Sequence, residues 1–206
     1  MEVSARTVLL VSGSPRAGGN TDTLLQEMAQ SLEERGFTTT FAALRSYSIH
    51  GCSGCERCRT AGTCVEFLDG MHLLYPLIEQ AGALVVGSPT YNYNITSEMK
   101  AFIDRCYPFF DFTTPRPGPY TCRLAGAGRK LVVVGVCEQE EESEMGFTMP
   151  AMADAFGAMG YELVEKVAVT GHFPRGAVRK DEKALEAARD AAGKLAAALD
   201  SGTGRQ

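Results

Sequence analysis

The chain has 206 residues, 45% hydrophobic and 22% charged, an ordinary balance that excludes bulk disorder and predicts one domain over 1–206. Twenty basic against 25 acidic residues leave a formal charge of −5, with no long basic run, which argues against a nucleic acid or an anionic membrane surface as partner. No stretch approaches the ~18 apolar residues that cross a bilayer, and Met1 to Arg6 lacks a charged-then-apolar leader, so the expected location is the cytoplasm.

Taken in order, short β-branched runs alternate with helical ones. Thr7–Ser12 reads as a strand buried on both faces, and Asn20–Arg35 as a helix with Leu24, Leu25, Met28, Ala29 and Leu32 on one stripe. Gly36 stops that helix, and Phe37–Leu44 is a second strand. A cysteine-bearing loop follows, then a helix over Asp69–Gln80 interrupted by Pro76, and a third strand at Ala83–Gly87. Thr96–Cys106 has helical spacing, Leu131–Cys137 is a fourth strand, Met145–Met159 a Met-rich helix, Tyr161–Thr170 a fifth strand and Lys180–Leu199 an Ala-rich closing helix. The tail over 201–206 is expected to fray. Strand and helix repeated in this way predict an α/β fold, a parallel sheet with helices on both faces. Pro108–Gly128, rich in Pro and aromatics, reads as a long loop that either packs its own rings or serves function or an interface.

Two loops carry chemistry. The first strand ends in Ser12-Gly13-Ser14-Pro15-Arg16-Ala17-Gly18-Gly19-Asn20-Thr21, and a helix starts at once. A helix N-terminus offers unpaired N–H groups and partial positive charge, which suits an anion. The dinucleotide pattern Gly-x-Gly-x-x-Gly is absent, and so is the Lys of a triphosphate loop. Neutral donors from Ser14, Asn20 and Thr21, with Arg16, suit one terminal phosphate; the alternative is a Gly-rich turn with Asn20 as a helix cap. The third strand ends in Gly87-Ser88-Pro89-Thr90-Tyr91-Asn92-Tyr93, whose backbone and aromatics suit a flat heterocycle or, alternatively, a turn with two core aromatics.

Together these loops, with Met99-Lys100-Ala101-Phe102-Ile103-Asp104-Arg105 and Cys64 leading to Asp69 and Met71, resemble the flavodoxin-like NAD(P)H-dependent FMN reductase family from residue 7 to about 105. The resemblance implies a flavodoxin-like, doubly wound five-stranded parallel sheet that binds FMN without a covalent link. It places Ser14, Arg16, Asn20 and Thr21 on the phosphate, Pro89, Thr90, Tyr91 and Asn92 along the isoalloxazine ring, and Cys137 and Glu138 as a third contact. No catalytic acid or base is assigned, because FMN itself carries hydride and single electrons. Two departures from the family pattern, Asp69-Gly70 for Asp-Asp and Ala83 for Asp, fall at positions that read as structural.

Four of the seven cysteines fall within thirteen residues, as Cys52-x2-Cys55-x2-Cys58-x5-Cys64. The spacing is too compact for a zinc ribbon and is not a ferredoxin repeat. Thiols without metal, a dithiol and zinc remain alternatives. The spacing resembles the motif of iron–sulfur flavoproteins in the same family, which implies a [4Fe–4S] cluster on Cys52, Cys55, Cys58 and Cys64, with Arg57 and Arg59 offsetting its charge. Cys106, Cys122 and Cys137 otherwise read as small buried hydrophobes. His50, His72 and His172 are singletons, and Glu138–Glu142 a solvated run.

The expected activity is FMN-dependent oxidoreduction, from NAD(P)H or a reduced carrier to a quinone, flavin or other small acceptor. The alternative is an iron–sulfur flavoprotein or non-enzymatic carrier fed by a ferredoxin-type donor. A homodimer or homotetramer is expected.

Overall fold

The computed structural model describes residues 4–202. Its main sheet holds β1 (Ser4–Ser12), β2 (Thr38–Ala43), β3 (Ala81–Pro89), β6 (Lys130–Val136) and β7 (Glu162–Val169), all parallel, in the order β2-β1-β3-β6-β7. Counted within the sheet, this is the flavodoxin-like order 2-1-3-4-5.

Both faces are covered, which is why Val8–Val11 of β1 and Ala83–Val86 of β3 are apolar without a break. In β1, Leu9 and Val11 enter one core with Met71, Leu74, Met99, Phe102 and Met152, while Val8 and Leu10 enter the other with Leu24, Leu25, Met28 and Leu195. The first core belongs to α3 (Met71–Gln80), α4 (Ser97–Asp104) and α5 (Thr148–Ala158), and the second to α1 (Asn20–Glu34) and α6 (Glu182–Gly202). Each fully buried Leu or Met contributes roughly 1.5–3 kcal/mol. The Met-rich helix is core: Met145, Met149, Met152 and Met159 are all buried.

Several elements depart from expectation. Pro76 lies inside α3, where it removes one backbone bond; the burial of Leu74, Tyr75 and Ile78 on either side of it outweighs that loss. The Met-rich segment is split, because Gly146 takes φ +53° between a 3-10 turn at Glu142–Met145 and α5. A short helix not foreseen, α2 (Cys58–Ala61), interrupts the cysteine loop and ends at Gly62 with φ +69°. Pro108–Gly128 is not loop throughout: β4 (Phe110–Phe112) and β5 (Tyr120–Cys122) pair antiparallel within it. There Phe110, Phe112 and Tyr120 pack against one another in tilted and edge-on contacts, with centroids 5.6–6.1 Å apart. Ser201 and Gly202 belong to α6, and 203–206, the rest of the expected frayed tail, lie outside the described residues. Among the described residues, no helix is long and apolar enough to cross a membrane.

The chain leaves β1 toward β2 on one side and β3 on the other. The crevice at their carboxyl ends is therefore the topological switch point, where open α/β sheets bind ligands.

Candidate functional site

The loops after β1 and β3 meet at that crevice and are bonded to each other. Gly13 N donates to Gly87 O at 2.8 Å, and the Thr96 hydroxyl donates to Gly13 O at 2.7 Å while capping α4. The approach leaves no room for side chains: a Cβ on Gly87 would stand 2.8 Å from the Thr21 methyl. The cleft between the loops, of about 330 Å³, is lined by Ser14, Arg16, Thr21, Pro89–Asn92, Glu138 and Arg175, among others.

A buried carboxylate holds the first loop in shape. Asp22, 1% exposed, accepts from the Ser12 hydroxyl at 2.6 Å and Gly18 N at 2.8 Å, and pairs with Arg45 at 2.8 Å. Arg45 also donates to Ser14 O at 3.0 Å. The loop thus curls around Asp22, and Gly19, Asn20 and Thr21 at the α1 N-terminus line the cleft. The second loop makes a tight turn at Tyr91–Asn94, with both central residues, Asn92 and Tyr93, at positive φ (48° and 62°). Phe147 N pins it by donating to Tyr93 O at 2.7 Å, and a Cβ on Gly146 would strike that same carbonyl.

The four clustered cysteines share a second cavity of about 190 Å³, with Glu56, Glu66, Phe67, Tyr75, Asp104, Arg105 and Pro108 also in its wall. Cys52 and Cys55 are exposed, Cys64 is half-buried and Cys58 is buried. Burial pushes the Cys58 thiol up, and the neighbouring Cys64, Cys52 and Cys55 add to this. Cys55 is lowered by hydrogen bonds from the backbone and side chain of Arg57. The Cys64 carbonyl accepts from His72 Nε2 at 2.8 Å. The β4–β5 hairpin braces this loop: Arg59 donates to Phe112 O at 3.3 Å, Arg123 to Gly62 O at 3.1 Å, and Arg116 pairs with Glu56.

Against known proteins, the sequence profile of NADPH-dependent FMN reductase matches residues 6–121. The chain belongs to the NADPH-dependent FMN reductase family. An iron-sulfur flavoprotein of Archaeoglobus fulgidus is 36% identical over 131 residues, 64% of this chain and 56% of that one, so the match spans about half the relative's length. Another iron-sulfur flavoprotein from the same organism is 29% identical over 192 residues, 88% of this chain and 90% of its own. An FMN-dependent NADH-azoreductase from Bacillus anthracis shares the fold, with a TM-score of 0.66 at 14% identity over 92% of this chain and 99% of that one.

Within this reductase fold, Ser14, Arg16, Asn20, Thr21, Pro89, Thr90, Tyr91, Asn92 and Glu138 all line the one cleft. Cys137 does not: it is buried in the core, its backbone tied to Val169 O and His172 N. Asn20 lines the cleft, but its side chain is committed elsewhere. Its Nδ2 donates to His172 O and Pro174 O, both at 3.1 Å, and its Oδ1 accepts from Val178 N at 3.2 Å. Only its backbone N–H remains for an anion. Arg16 reaches across the mouth to Phe173, donating to its carbonyl at 3.0 Å. Arg57 and Arg59, expected to offset cluster charge, pair with Glu66 and Glu56.

Sequence reasoning missed Asp22, Arg45, Arg175 and the place of Arg105, held by Asp69, in the wall of the cysteine cavity. Asp22 reads in sequence as an ordinary acid in a first helical turn. Arg175 follows β7, which ends at the same sheet edge as β1 and β3, and that placement was the available signal. Gly70, where the family pattern has Asp, sits where a Cβ would lie 2.9 Å from that of Tyr47.

Proposed function

We propose that this chain is an FMN-dependent oxidoreductase that takes electrons from NAD(P)H or a reduced carrier and delivers them to a small acceptor such as a quinone or flavin. The observation that carries this reading is the convergence of the two loops and the α1 N-terminus on one cleft. The residues fit the group. The N–H groups opening α1, the Ser14 and Thr21 hydroxyls, Arg16 and Arg175 would hold the phosphate, the anion that a helix N-terminus favours. Pro89, Thr90, Tyr91 and Asn92 would line the ring, their backbone aimed by the positive-φ turn. When bound, FMN supplies hydride and single-electron transfer, and the protein's part is to hold it, shield it and set its surroundings.

Cys52, Cys55, Cys58 and Cys64 would hold a [4Fe–4S] cluster. What supports this is that all four line one cavity. Among the described residues, no three His, Cys, Asp or Glu side chains gather closely enough for a single metal ion. The cluster supplies one-electron transfer, which favours a ferredoxin-type donor beside NAD(P)H.

The absorption spectrum and iron content of protein purified and reconstituted without oxygen test both halves. The expected result is flavin bands plus about four irons per chain, with FMN bound far more tightly than riboflavin. Equal affinity for riboflavin and FMN overturns the phosphate site. Iron near zero after reconstitution removes the cluster and leaves the flavin half standing.

A further inference from the structure

Arg105 lines the cysteine cavity with its side chain only 2% exposed. Two of its three guanidinium nitrogens are fully engaged. Nη1 donates to His50 O at 2.8 Å and Asp69 Oδ2 at 2.7 Å, and Nη2 to Asp69 Oδ1 at 3.0 Å and Phe67 O at 3.4 Å. The guanidinium thus ties together the segments on both flanks of the cysteine motif. The third nitrogen, Nε, is buried with no partner. A buried donor left unmade on a charged group is costly, so an acceptor at the site is to be sought.

The cavity wall narrows the choice. Its three carboxylates are spoken for: Glu56 by Arg116, Arg59 and Tyr107, Glu66 by Arg57, and Asp104 by Lys100 at 2.6 Å. The Tyr75 hydroxyl donates to the carbonyl of Arg105 itself at 2.9 Å. The same wall carries the four thiols, and among them Cys64 is the one whose charge acts on the guanidinium.

We propose that Arg105 is a positioning residue for the cluster, donating its Nε–H to sulfur on the Cys64 side of the cavity and thereby raising the cluster's reduction potential. This rests on the cluster reading above. Hydrogen bonds to cluster sulfur favour the reduced, more negative form. Asp69, bonded to both Nη atoms, works against that effect by neutralising the guanidinium.

The test is a redox titration of the full chain, reconstituted anaerobically with iron and sulfide and followed by the cluster's paramagnetic signal. Arg105→Lys keeps the charge opposite Asp69 and removes Nε–H. It is expected to retain its iron and to shift the potential negative, with about a tenfold lower reduced-to-oxidised ratio at fixed potential, the size of one charge-assisted hydrogen bond. Asp69→Asn is expected to shift the potential the other way. A merely structural Arg105 gives lower iron in both variants while the remaining cluster keeps the wild-type potential; that result, or shifts of one sign in both, overturns the proposal. Wild-type protein grown with nitrogen-15-labelled arginine needs no variant to fold. Hyperfine coupling from an arginine nitrogen on the reduced cluster supports the proposal, and its absence overturns it. Wild-type protein that takes up no iron removes the cluster reading itself, and this inference with it.

Discussion

Replacing Asn20 by Asp separates two ways in which one residue can serve an anion site. In sequence, Asn20 reads as a phosphate donor, and a carboxylate there would act only by repelling phosphate. In the structure the side chain, 8% exposed, bridges the α1 N-terminus to the segment between β7 and α6, through two donated bonds and one accepted bond. Asp cannot donate to His172 O or Pro174 O and sets a carboxylate oxygen against both. Two lost bonds at about 1 kcal/mol each, with carbonyl groups left unpaired beside a charge, amount to about 3 kcal/mol. For a chain of this size that lowers the melting temperature by about 6–12 °C. The assay is thermal unfolding of flavin-free protein, with FMN affinity measured alongside by fluorescence quenching. The expected outcome is a lower melting temperature before any FMN is added, and weaker FMN binding as a second effect. An unchanged flavin-free melting temperature with a large loss of FMN affinity would refute the clamp and return Asn20 to the phosphate.

Asp22→Ala leaves Arg45 and Gly18 N without their buried partner, so a loss of about 3–5 kcal/mol in denaturant unfolding is expected, together with weaker FMN binding. Burial pushes the Asp69 carboxyl up, but Arg105 and the N–H groups of His50 and Met71 outweigh that and hold it at about 2. Because this folded value lies below the ordinary ~3.9, the pair contributes about 2 kcal/mol that is fully present above pH ~4 and lost as pH falls toward 2; Asp69→Asn should flatten the unfolding midpoint across that window. Cys58→Ser, at the buried thiol, should lower iron uptake while FMN affinity stays near wild type, as the flavin loops are separate in sequence. Exposed Tyr93 and Phe147, joined through their backbones, give the protein an apolar surface suited to a second copy, and light scattering of the FMN-bound protein should report a dimer or tetramer rather than a monomer.

The sheet was legible because β1, β3 and β6 carry the short unbroken apolar runs Val8–Val11, Ala83–Val86 and Leu131–Val134, a pattern that a buried parallel strand produces and few other elements do. The loops were legible for the same reason, since strand order alone brings Ser14 and Thr90 to one edge. What could not be read were matters of direction and of partnership at long range. Cys137 follows a strand that ends at the cleft, but strand alternation turns its thiol into the core. Asn20 and Asp22 look like cap and dipole complement until residues about 150 positions away, or an arginine in the turn just past β2, take up their side chains. The hairpin within Pro108–Gly128 is short and depends on side-chain stacking, so it leaves no periodic trace.

The brace between the β4–β5 hairpin and the cysteine loop has a consequence for how the molecule breathes. Neither segment belongs to the five-stranded ladder, and their hold on each other is mostly arginine side chains on carbonyls and carboxylates at the surface. Such contacts open at far lower free energy than a buried strand. Hydrogen exchange should therefore find 52–64 and 110–122 exchanging together, as one unit, while the amides of β1 and β3 stay protected.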